Sequence, residues 1–226
     1  MNELTLIIPA KNEAESLPTV LNELKKYNYK IDVVLHSTDI GTIQAIKEHE
    51  VNIIYQENFG YGDSLIHGIK QCKSKYFCIF NADGSFNPSE INQMLKTLQS
   101  KKLDFIFASR YGTNSGSDDD TILTLVGNYI FTYIGKIFFG LNISDILYTF
   151  LIGNTKQANR LNLKEKNFSF CVELPIKAKR LGMQMISTNS YERKRIAGKK
   201  KVNAFKDGLL ILLYMIKLFF LKQKNQ

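Results

Sequence analysis

The sequence predicts an α/β protein built on a mostly parallel sheet with helices on both faces. In the first half of the chain, short apolar runs alternate with segments of helical spacing. The apolar runs are continuous rather than alternating, which is typical of strands that are covered on both faces. Strand–helix–strand alternation indicates right-handed crossovers between parallel neighbours.

Five strands and four helices are predicted in this half. The predicted strands are Leu4–Ile8, Ile31–Leu35, Val51–Gln56, Tyr76–Phe80 and Asp104–Ser109. The predicted helices are Ala14–Lys26, Thr42–Lys47, Gly62–Gln71 and Pro88–Gln99. Parallel sheets bind ligands beyond the carboxyl ends of their strands, so we expect the functional site at that edge.

The second half predicts fewer strands and longer helices. In the helix predicted over Ile122–Phe139, one polar residue recurs at every fourth position on a largely apolar cylinder: Thr124, Asn128, Thr132 and Lys136. Such a helix packs into a core or lies in a membrane interface, and we expect burial. The remaining predicted elements are a strand at Tyr148–Ile152, a helix at Val172–Leu181, a strand at Met185–Thr188 and a helix at about Asn203–Leu221.

Composition excludes several classes of protein. The 226 residues are 44% hydrophobic, which is enough for a core and argues against wholesale disorder. Three cysteines supply neither a disulfide framework nor a thiolate zinc site. Charge follows the first residues too closely for a signal peptide, so we expect an intracellular, mainly soluble chain. We expect one domain at 1–202, with a nucleotide-binding half at about 1–110 and an acceptor half at about 111–202, and an appended helix at 203–226.

The net charge of +9 is confined to the C-terminal end. Residues 193–226 hold ten lysines and arginines and one acid, Asp207, whereas the rest of the chain is balanced. A nucleic-acid-binding protein more often spreads its charge over a folded face. A basic stretch followed by apolar residues indicates contact with an anionic membrane surface. The alternative is a solvated tail beside a buried last helix.

The strongest local motif is CIFNADGSFNP at 78–88. At the end of an extended strand, residues i and i+2 point the same way, so Asn81 and Asp83 can converge on one cation. Oxygen ligands suit Mg²⁺ or Mn²⁺. The alternative is a turn, because Asp-Gly and Asn-Pro are common turn pairs. The acidic run Asp118–Asp120 is interpreted as a solvated loop rather than a further metal ligand.

Together these segments resemble inverting family 2 glycosyltransferases, and among them the polyprenyl-phosphate sugar synthases. The matching stretches are IIPAKNEAESLP (7–18), STDIGT (37–42), NFGYGDSLIHGI (58–69), CIFNADGSFNP (78–88) and FASRYG (107–112). Weaker matches lie at 140–145, around Glu173 and at 195–202. They follow the family's order over nearly the whole chain.

The resemblance implies a GT-A fold and transfer of a sugar from a UDP- or GDP-sugar to a polyprenyl phosphate or glycan acceptor. It implies Mg²⁺ or Mn²⁺ as cofactor, a cell-surface glycan product, no nucleic-acid partner, and a peripheral location at the inner face of the cell membrane. The residues expected to hold the donor are Pro9, Lys11, Glu13, Asp39, Gly60, Gly62, Asp63, Ala82 and Arg110. The residues expected at the metal are Asn81, Asp83 and Ser85. Those expected to support the reaction are Asp83, Arg195 and Lys201.

The acceptor decides whether a general base is needed. A phosphate monoester has a second pKa of about 6 and is already largely ionised at neutral pH. A sugar hydroxyl needs a base, for which Asp145 and Glu173 are the candidates.

The sequence departs from the family pattern in four places, which involve five residues. Lys11 replaces an aromatic residue, Leu35 and His36 replace two acids, Asn81 replaces an aspartate, and Leu151 replaces an arginine. They favour the alternative of a nucleotide-sugar-binding protein without turnover. A nucleotidyltransferase is a further alternative, although PAKNEAE lacks the glycine-rich basic loop typical of that class.

Overall fold

The computed structural model describes residues 3–198 and 200–221. Lys199 and residues 222–226, which belong to the predicted basic tail, lie outside the described residues. The strands in chain order are β1 (Leu4–Pro9), β2 (Lys30–Leu35), β3 (Asn52–Tyr55), β4 (Tyr76–Ile79), β5 (Phe105–Ser109), β6 (Gly116–Ser117), β7 (Leu151–Asn154), β8 (Met185–Asn189) and β9 (Tyr191–Glu192). The helices are α1 (Leu17–Leu24), α2 (Ile40–Ala45), α3 (Tyr61–Gln71), α4 (Ile91–Ser100), α5 (Ile122–Phe139), α6 (Thr155–Arg160), α7 (Phe170–Arg180) and α8 (Ala204–Phe220).

Seven strands form one sheet in the order β3-β2-β1-β4-β7-β5-β8, and the short strands β6 and β9 form a separate parallel pair. The predicted mostly parallel α/β sheet is confirmed. The pairing of β5 with β8 joins the two predicted halves of the chain in a single sheet. One apolar cluster lies on the face covered by α1 and α4, and the other on the face covered by α3, α6 and α7.

Strand β7 differs from the expectation in position, and it is the antiparallel strand of the mostly parallel sheet. It begins at Leu151 and runs antiparallel to both β4 and β5. The predicted strand at Tyr148–Ile152 began three residues early because the apolar run continues into a buried loop. In that loop Tyr148 and Phe150 pack against Phe86, with ring centroids 5.0 and 4.8 Å away.

The expectation that the helix over Ile122–Phe139 is buried was wrong. Its bounds agree with the prediction, yet Asn128 and Gly135 are its buried residues, and Ile122 is 82% exposed. Among the described helices it is the one with the length and composition to cross a bilayer.

The middle of the polar stripe of α5 faces the protein instead, whereas Lys136 at its end is exposed. Asn128 donates to Asp145 and to the Tyr111 hydroxyl, the latter at 3.0 Å. Thr132 accepts the backbone N–H of Ile146 at 3.2 Å. The apolar side of the helix therefore faces outward.

Candidate active site

Two loops that leave neighbouring parallel strands are joined by hydrogen bonds at the carboxyl edge of the sheet. Asn12, after β1, has a φ of 52°. Its backbone N–H donates to the carboxylate of Asp39, after β2, over 2.7 Å. Asp39 also accepts the N–H of Thr42 at 3.3 Å and so caps α2. The Thr42 hydroxyl accepts the N–H of Glu13 at 2.9 Å. These bonds make one wall from the two loops.

A cavity of about 440 Å³ opens beside this wall. It is lined by residues 12–16, residues 38–42, Ala197 and Gly198. A cleft of this size falls within the usual range for small-molecule sites, about 300–1,000 Å³. Its residues come from the two strand ends at which the sequence predicts the donor.

The segment that leaves β4 forms a tight turn around Asp83. One carboxylate oxygen of Asp83 accepts the backbone N–H of Ser85 at 3.0 Å and its hydroxyl at 2.7 Å. The Asn81 amide nitrogen lies 3.5 Å from the Ser85 hydroxyl. Gly84 has a φ of 82°, a conformation that glycine adopts without steric cost. The three residues predicted at the metal thus share one turn.

A basic segment, residues 193–198 and 200–202, crosses over this turn. The backbone N–H of Ile196 donates to the Asp83 carbonyl at 2.8 Å. The Ile196 side chain covers Gly84 so closely that a Cβ there would lie 2.5 Å from it. The segment therefore requires glycine beneath it.

Arg195, on this segment, is the main cation near Asp83. Its guanidinium makes two bonds to the Asp119 carboxylate, at 3.1 and 2.7 Å, and lies 3.5 Å from the second oxygen of Asp83. The Lys200 ammonium lies 3.4 Å from the Asp119 carboxylate. Burial would raise the pKa of Asp119, but Arg195 and Lys200 outweigh it, and the pKa lies below its ordinary value. Asp119 is therefore a fixed anion that holds the basic segment.

A second ion pair, between Lys201 and Glu13, joins the basic segment to the loop after β1. The structure thus places Glu13, Asp39, Asp83, Arg195 and Lys201 around one edge; their roles stay predictions. The partner that sequence reasoning missed is Asp119, which was interpreted as part of a solvated loop. The sequence feature that could have indicated this pairing is the opposite charge of the acidic run Asp118–Asp120 and the basic segment.

Arg110 belongs to a different cluster, beneath α5. Its guanidinium contacts Asp145 at 2.8 and 3.1 Å and Glu192 at 3.1 Å, and it lies 4.6 Å from the Tyr148 ring centroid. Burial lowers the pKa of Arg110, but Asp145 and Glu192 raise it by more, so the pKa lies above its ordinary value. These contacts favour a structural role, against the expectation that Arg110 holds donor phosphate.

Glu173 is also held inside the protein. It accepts the backbone N–H groups of Lys164 at 3.0 Å and Glu165 at 2.8 Å, and the hydroxyl of Tyr214, on α8, at 2.9 Å. The Lys177 ammonium lies 2.7 Å away. The side chains of Glu173 and Asp145 are 0% exposed. Both candidate bases thus serve as paired internal anions, which disfavours the predicted role in proton abstraction.

The glycines after β3 have a local structural explanation. A Cβ at Gly60 would lie 2.0 Å from the Lys166 carbonyl oxygen, and one at Gly62 would lie 2.1 Å from the Glu165 carbonyl oxygen. Asp63 donates its N–H to Lys166 at 3.1 Å. The close approach is therefore to residues 165–167, whereas the predicted approach was to a phosphate.

Three further predicted donor contacts lie along the same edge. Pro9 is the last residue of β1, Lys11 is exposed in the loop that follows, and Ala82 is buried in the Asp83 turn. Their contacts with a donor stay predictions.

Comparison with known proteins identifies the family. The model of the family described as glycosyl transferase family 2 matches residues 5–161. The chain belongs to this family. The match covers β1 to α6, including the cavity wall and the Asp83 turn, and the fold is the GT-A fold of these transferases.

Relatives of this family 2 glycosyltransferase extend the likeness to most of its length. An uncharacterised protein of Methanocaldococcus jannaschii is 25% identical over 229 residues, covering 96% of this chain and 93% of the relative. A UDP-N-acetylglucosamine–dolichyl-phosphate N-acetylglucosaminyltransferase of Methanococcus voltae is 24% identical over 200 residues, covering 77% and 79%.

Solved structures share the fold of this glycosyltransferase. Glucosyl-3-phosphoglycerate synthase of Mycobacterium tuberculosis, in complex with Mn²⁺, UDP-glucose and phosphoglyceric acid, has a TM-score of 0.74 at 11% identity. The similarity covers 98% of this chain and 81% of that one. Mannosyl-3-phosphoglycerate synthase of Rubrobacter xylanophilus has a TM-score of 0.67 at 14% identity, with 99% and 77% covered. At these identities the likeness concerns the fold alone.

Proposed function

We propose that this glycosyltransferase moves a sugar from a UDP- or GDP-sugar to a lipid monophosphate of the polyprenyl type, for cell-surface glycan synthesis at the inner face of the membrane. The observation that carries the proposal is the meeting of Asp83, Asp119 and Arg195 beside the cavity. A departing nucleoside diphosphate needs cationic groups at this position, and arginine can bind phosphate through two bonds.

The turn around Asp83 fits a divalent cation. Asn81, Asp83 and Ser85 offer an amide oxygen, a carboxylate and a hydroxyl, and Mg²⁺ in such sites often takes one or two carboxylates together with substrate phosphates. Within residues 3–198 and 200–221, no group of three or more His, Cys, Asp or Glu side chains forms a site made by protein ligands alone. We therefore propose that Mg²⁺ or Mn²⁺ binds here together with the donor. When bound, the ion would neutralise charge on the diphosphate.

The protein's own cations supply the rest of this neutralisation. Arg195 and Lys201 lie on one segment and are paired with Asp119 and Glu13. A diphosphate that enters the cavity can replace these carboxylates as the partner of both cations. Holding the diphosphate in this way would contribute to the positioning that in-line attack requires.

The state of the two candidate bases favours a phosphate acceptor over a sugar hydroxyl. Asp145 is bound by Arg110, and Glu173 by Lys177 and two backbone N–H groups. An ionised phosphate oxygen attacks without a base. The relative from Methanococcus voltae is named for transfer to dolichyl phosphate, which supports the same class of acceptor.

The test is direct. Purified protein is incubated with UDP- and GDP-sugars, Mn²⁺ and polyprenyl phosphate, and the lipid fraction is assayed for a glycolipid. We expect product from one donor and loss of at least about a hundredfold in rate for Asp83→Ala, within the range for removing a group that stabilises leaving charge. Asp32→Ala is the matched control, because Asp32 lies within β2 and accepts a hydrogen bond from Asn52 at 3.0 Å.

Asn81 favours a second candidate, a nucleotide-sugar-binding protein without turnover, because it removes one carboxylate from the metal turn. Thermal-shift titration with nucleoside diphosphates and Mn²⁺ separates the two. A rise in melting temperature without glycolipid from any donor would establish the binding protein and reject the transferase.

A further inference from the structure

The outer side of α5 is an unusual surface for a globular protein. Eight large hydrophobic side chains of this helix are at least half exposed: Ile122, Leu123, Val126, Tyr129, Ile130, Tyr133, Ile137 and Phe138. An amphipathic helix on a globular protein normally places its polar stripe outward. Here the inward stripe carries Asn128 and Thr132, so the apolar side is left uncovered.

Helix α8 extends the same surface. It packs along α5, with the Phe219 ring 5.7 Å from Phe138 and 6.2 Å from Phe139, and with Gly208 facing the Phe131 ring. Its own exposed apolar residues are Phe205, Leu209, Leu210, Leu213, Ile216, Phe219 and Phe220. We call the exposed apolar residues of α5 and α8 together the docking face. Contiguous exposed patches of this kind mark interaction sites.

The charges beside the docking face are mainly positive. Exposed lysines stand on both helices, Lys136 on α5 and Lys206 and Lys217 on α8, against one acid, Asp207. Tyr129 and Tyr133 line a groove together with Lys136, at the side of α5 away from α8. Tyrosine at a membrane–water boundary and lysine near anionic headgroups are both favourable placements.

Each helix has one side committed to the protein, which sets how deeply it can insert. Asn128 of α5 is bound to Asp145, and Tyr214 of α8 is bound to Glu173. Crossing a bilayer would require these buried bonds to break. Lying flat in the headgroup region keeps them and buries the apolar side.

We infer that α5 and α8 lie side by side in the plane of an anionic lipid bilayer and dock the enzyme there through the docking face. A second copy of the chain fits this face less well, because a symmetric pair would bring the lysines of both copies together. The inference extends the proposed location by naming the surface. It is tested without donor or acceptor, so its failure and that of the transfer reaction are distinguishable.

The experiment is flotation with vesicles of phosphatidylcholine containing phosphatidylglycerol. The variant is Ile130→Glu with Tyr133→Glu, at residues that are 53% and 65% exposed. We expect its partition coefficient to fall about tenfold or more, because two apolar side chains leave the lipid. The control is Tyr55→Glu, because Tyr55 is 50% exposed on β3, at the opposite edge of the sheet from β8. It should change binding less than about twofold.

Melting curves check that the variants fold, and part of the binding should persist in about 1 M salt, where surface charge is screened. Unchanged flotation of the double variant would overturn the inference, and so would complete release by salt. A wild-type dimer that the double variant converts to monomer would assign the face to self-association and would equally overturn it.

Discussion

Two arginines, Arg110 and Arg195, each donate two hydrogen bonds to one carboxylate, yet their surroundings differ. Arg110 lies beneath α5 between Asp145 and Glu192, and its side chain is 10% exposed. Arg195 lies on the basic segment, whose described residues 193–198 and 200–202 have no regular secondary structure and which lines the cavity through Ala197 and Gly198. The first pairing joins parts of the folded body, whereas the second is on the segment that reaches the cavity.

The balance of charge also differs between the Arg110 cluster and the Arg195 cluster. Arg110 faces two carboxylates at bonding distance and Asp120 at 3.5 Å. Acids are therefore in excess in this cluster, and Arg110 needs no further anion. In the open cluster, the cations Arg195, Lys200 and Lys201 match Asp83, Asp119 and Glu13. A phosphate can take the place of a carboxylate there. The same residue type is therefore structural in one cluster, and we propose that it binds the ligand in the other.

The largest expected effect is on stability. Arg110→Met leaves Asp145 and Glu192 buried without their cation, so we expect the free energy of unfolding to fall by about 3–5 kcal/mol. Urea denaturation measures it. Arg195→Met should lose less than about 1 kcal/mol, because its ion pairs are partly exposed. Equal losses in the two variants would erase the distinction between the clusters.

The next effect is on binding. Arg195→Ala should weaken the affinity for UDP or GDP by about tenfold or more, since a charge-assisted bond contributes about 1.5–3 kcal/mol. Isothermal titration calorimetry measures it in the presence of Mn²⁺. Arg193→Ala is the control, because that guanidinium binds Glu23 at 2.9 and 3.0 Å. If both variants lose the same affinity, the effect belongs to the segment and not to Arg195.

The smallest expected effect is on the pH dependence of stability. The contributions of Glu192 and Asp119 to stability should change with pH in opposite directions. Burial raises the pKa of Glu192 above its ordinary value of 4.5 despite Arg110. Its stability contribution is therefore present below that pH and lost as pH rises through the raised value. The pKa of Asp119 is lowered from 3.8, so its contribution is present above that pH and lost as pH falls.

We test this by comparing wild type with Glu192→Gln and with Asp119→Asn across pH 3–8 by thermal denaturation. The stability of wild type relative to Glu192→Gln should decrease as the pH rises. Relative to Asp119→Asn it should decrease at the acid end. Curves of the same sign would contradict the assigned environments.

The sequence predicted the strands of the first half well because their buried residues are mostly consecutive and apolar, as in β4. The direction of β7 could not be predicted this way, because an apolar run looks the same in either direction. For α5, periodicity defined the two faces but not which one turns inward. That depended on Asp145, a buried anion that needs Asn128 as a donor.

The site was predictable where its residues stand at strand ends, as Glu13, Asp39 and Asp83 do. The pairing of Asp119 with Arg195 joins residues 76 positions apart, and no local pattern records it. Arg110 was predicted to bind the donor because the sequence shows a charged residue but not the residue with which it pairs. Burial of that partner, Asp145, is a property of the tertiary structure.

The reversed direction of β7 has a consequence for the carboxyl edge of the sheet. Because Ile79 pairs with Leu151, the residues that enter β7 meet those that leave β4, and the rings of Phe80 and Phe150 lie 5.7 Å apart. The hydroxyl of Thr149 thereby reaches that of Tyr61 at 2.6 Å, at the start of α3. Because β7 is antiparallel, the residues that precede it lie at the carboxyl edge of the sheet. The other strands of the sheet contribute the residues that follow them to that edge. Tyr148, Thr149 and Phe150 are all buried there, so core side chains, and not an open loop, close this part of the edge.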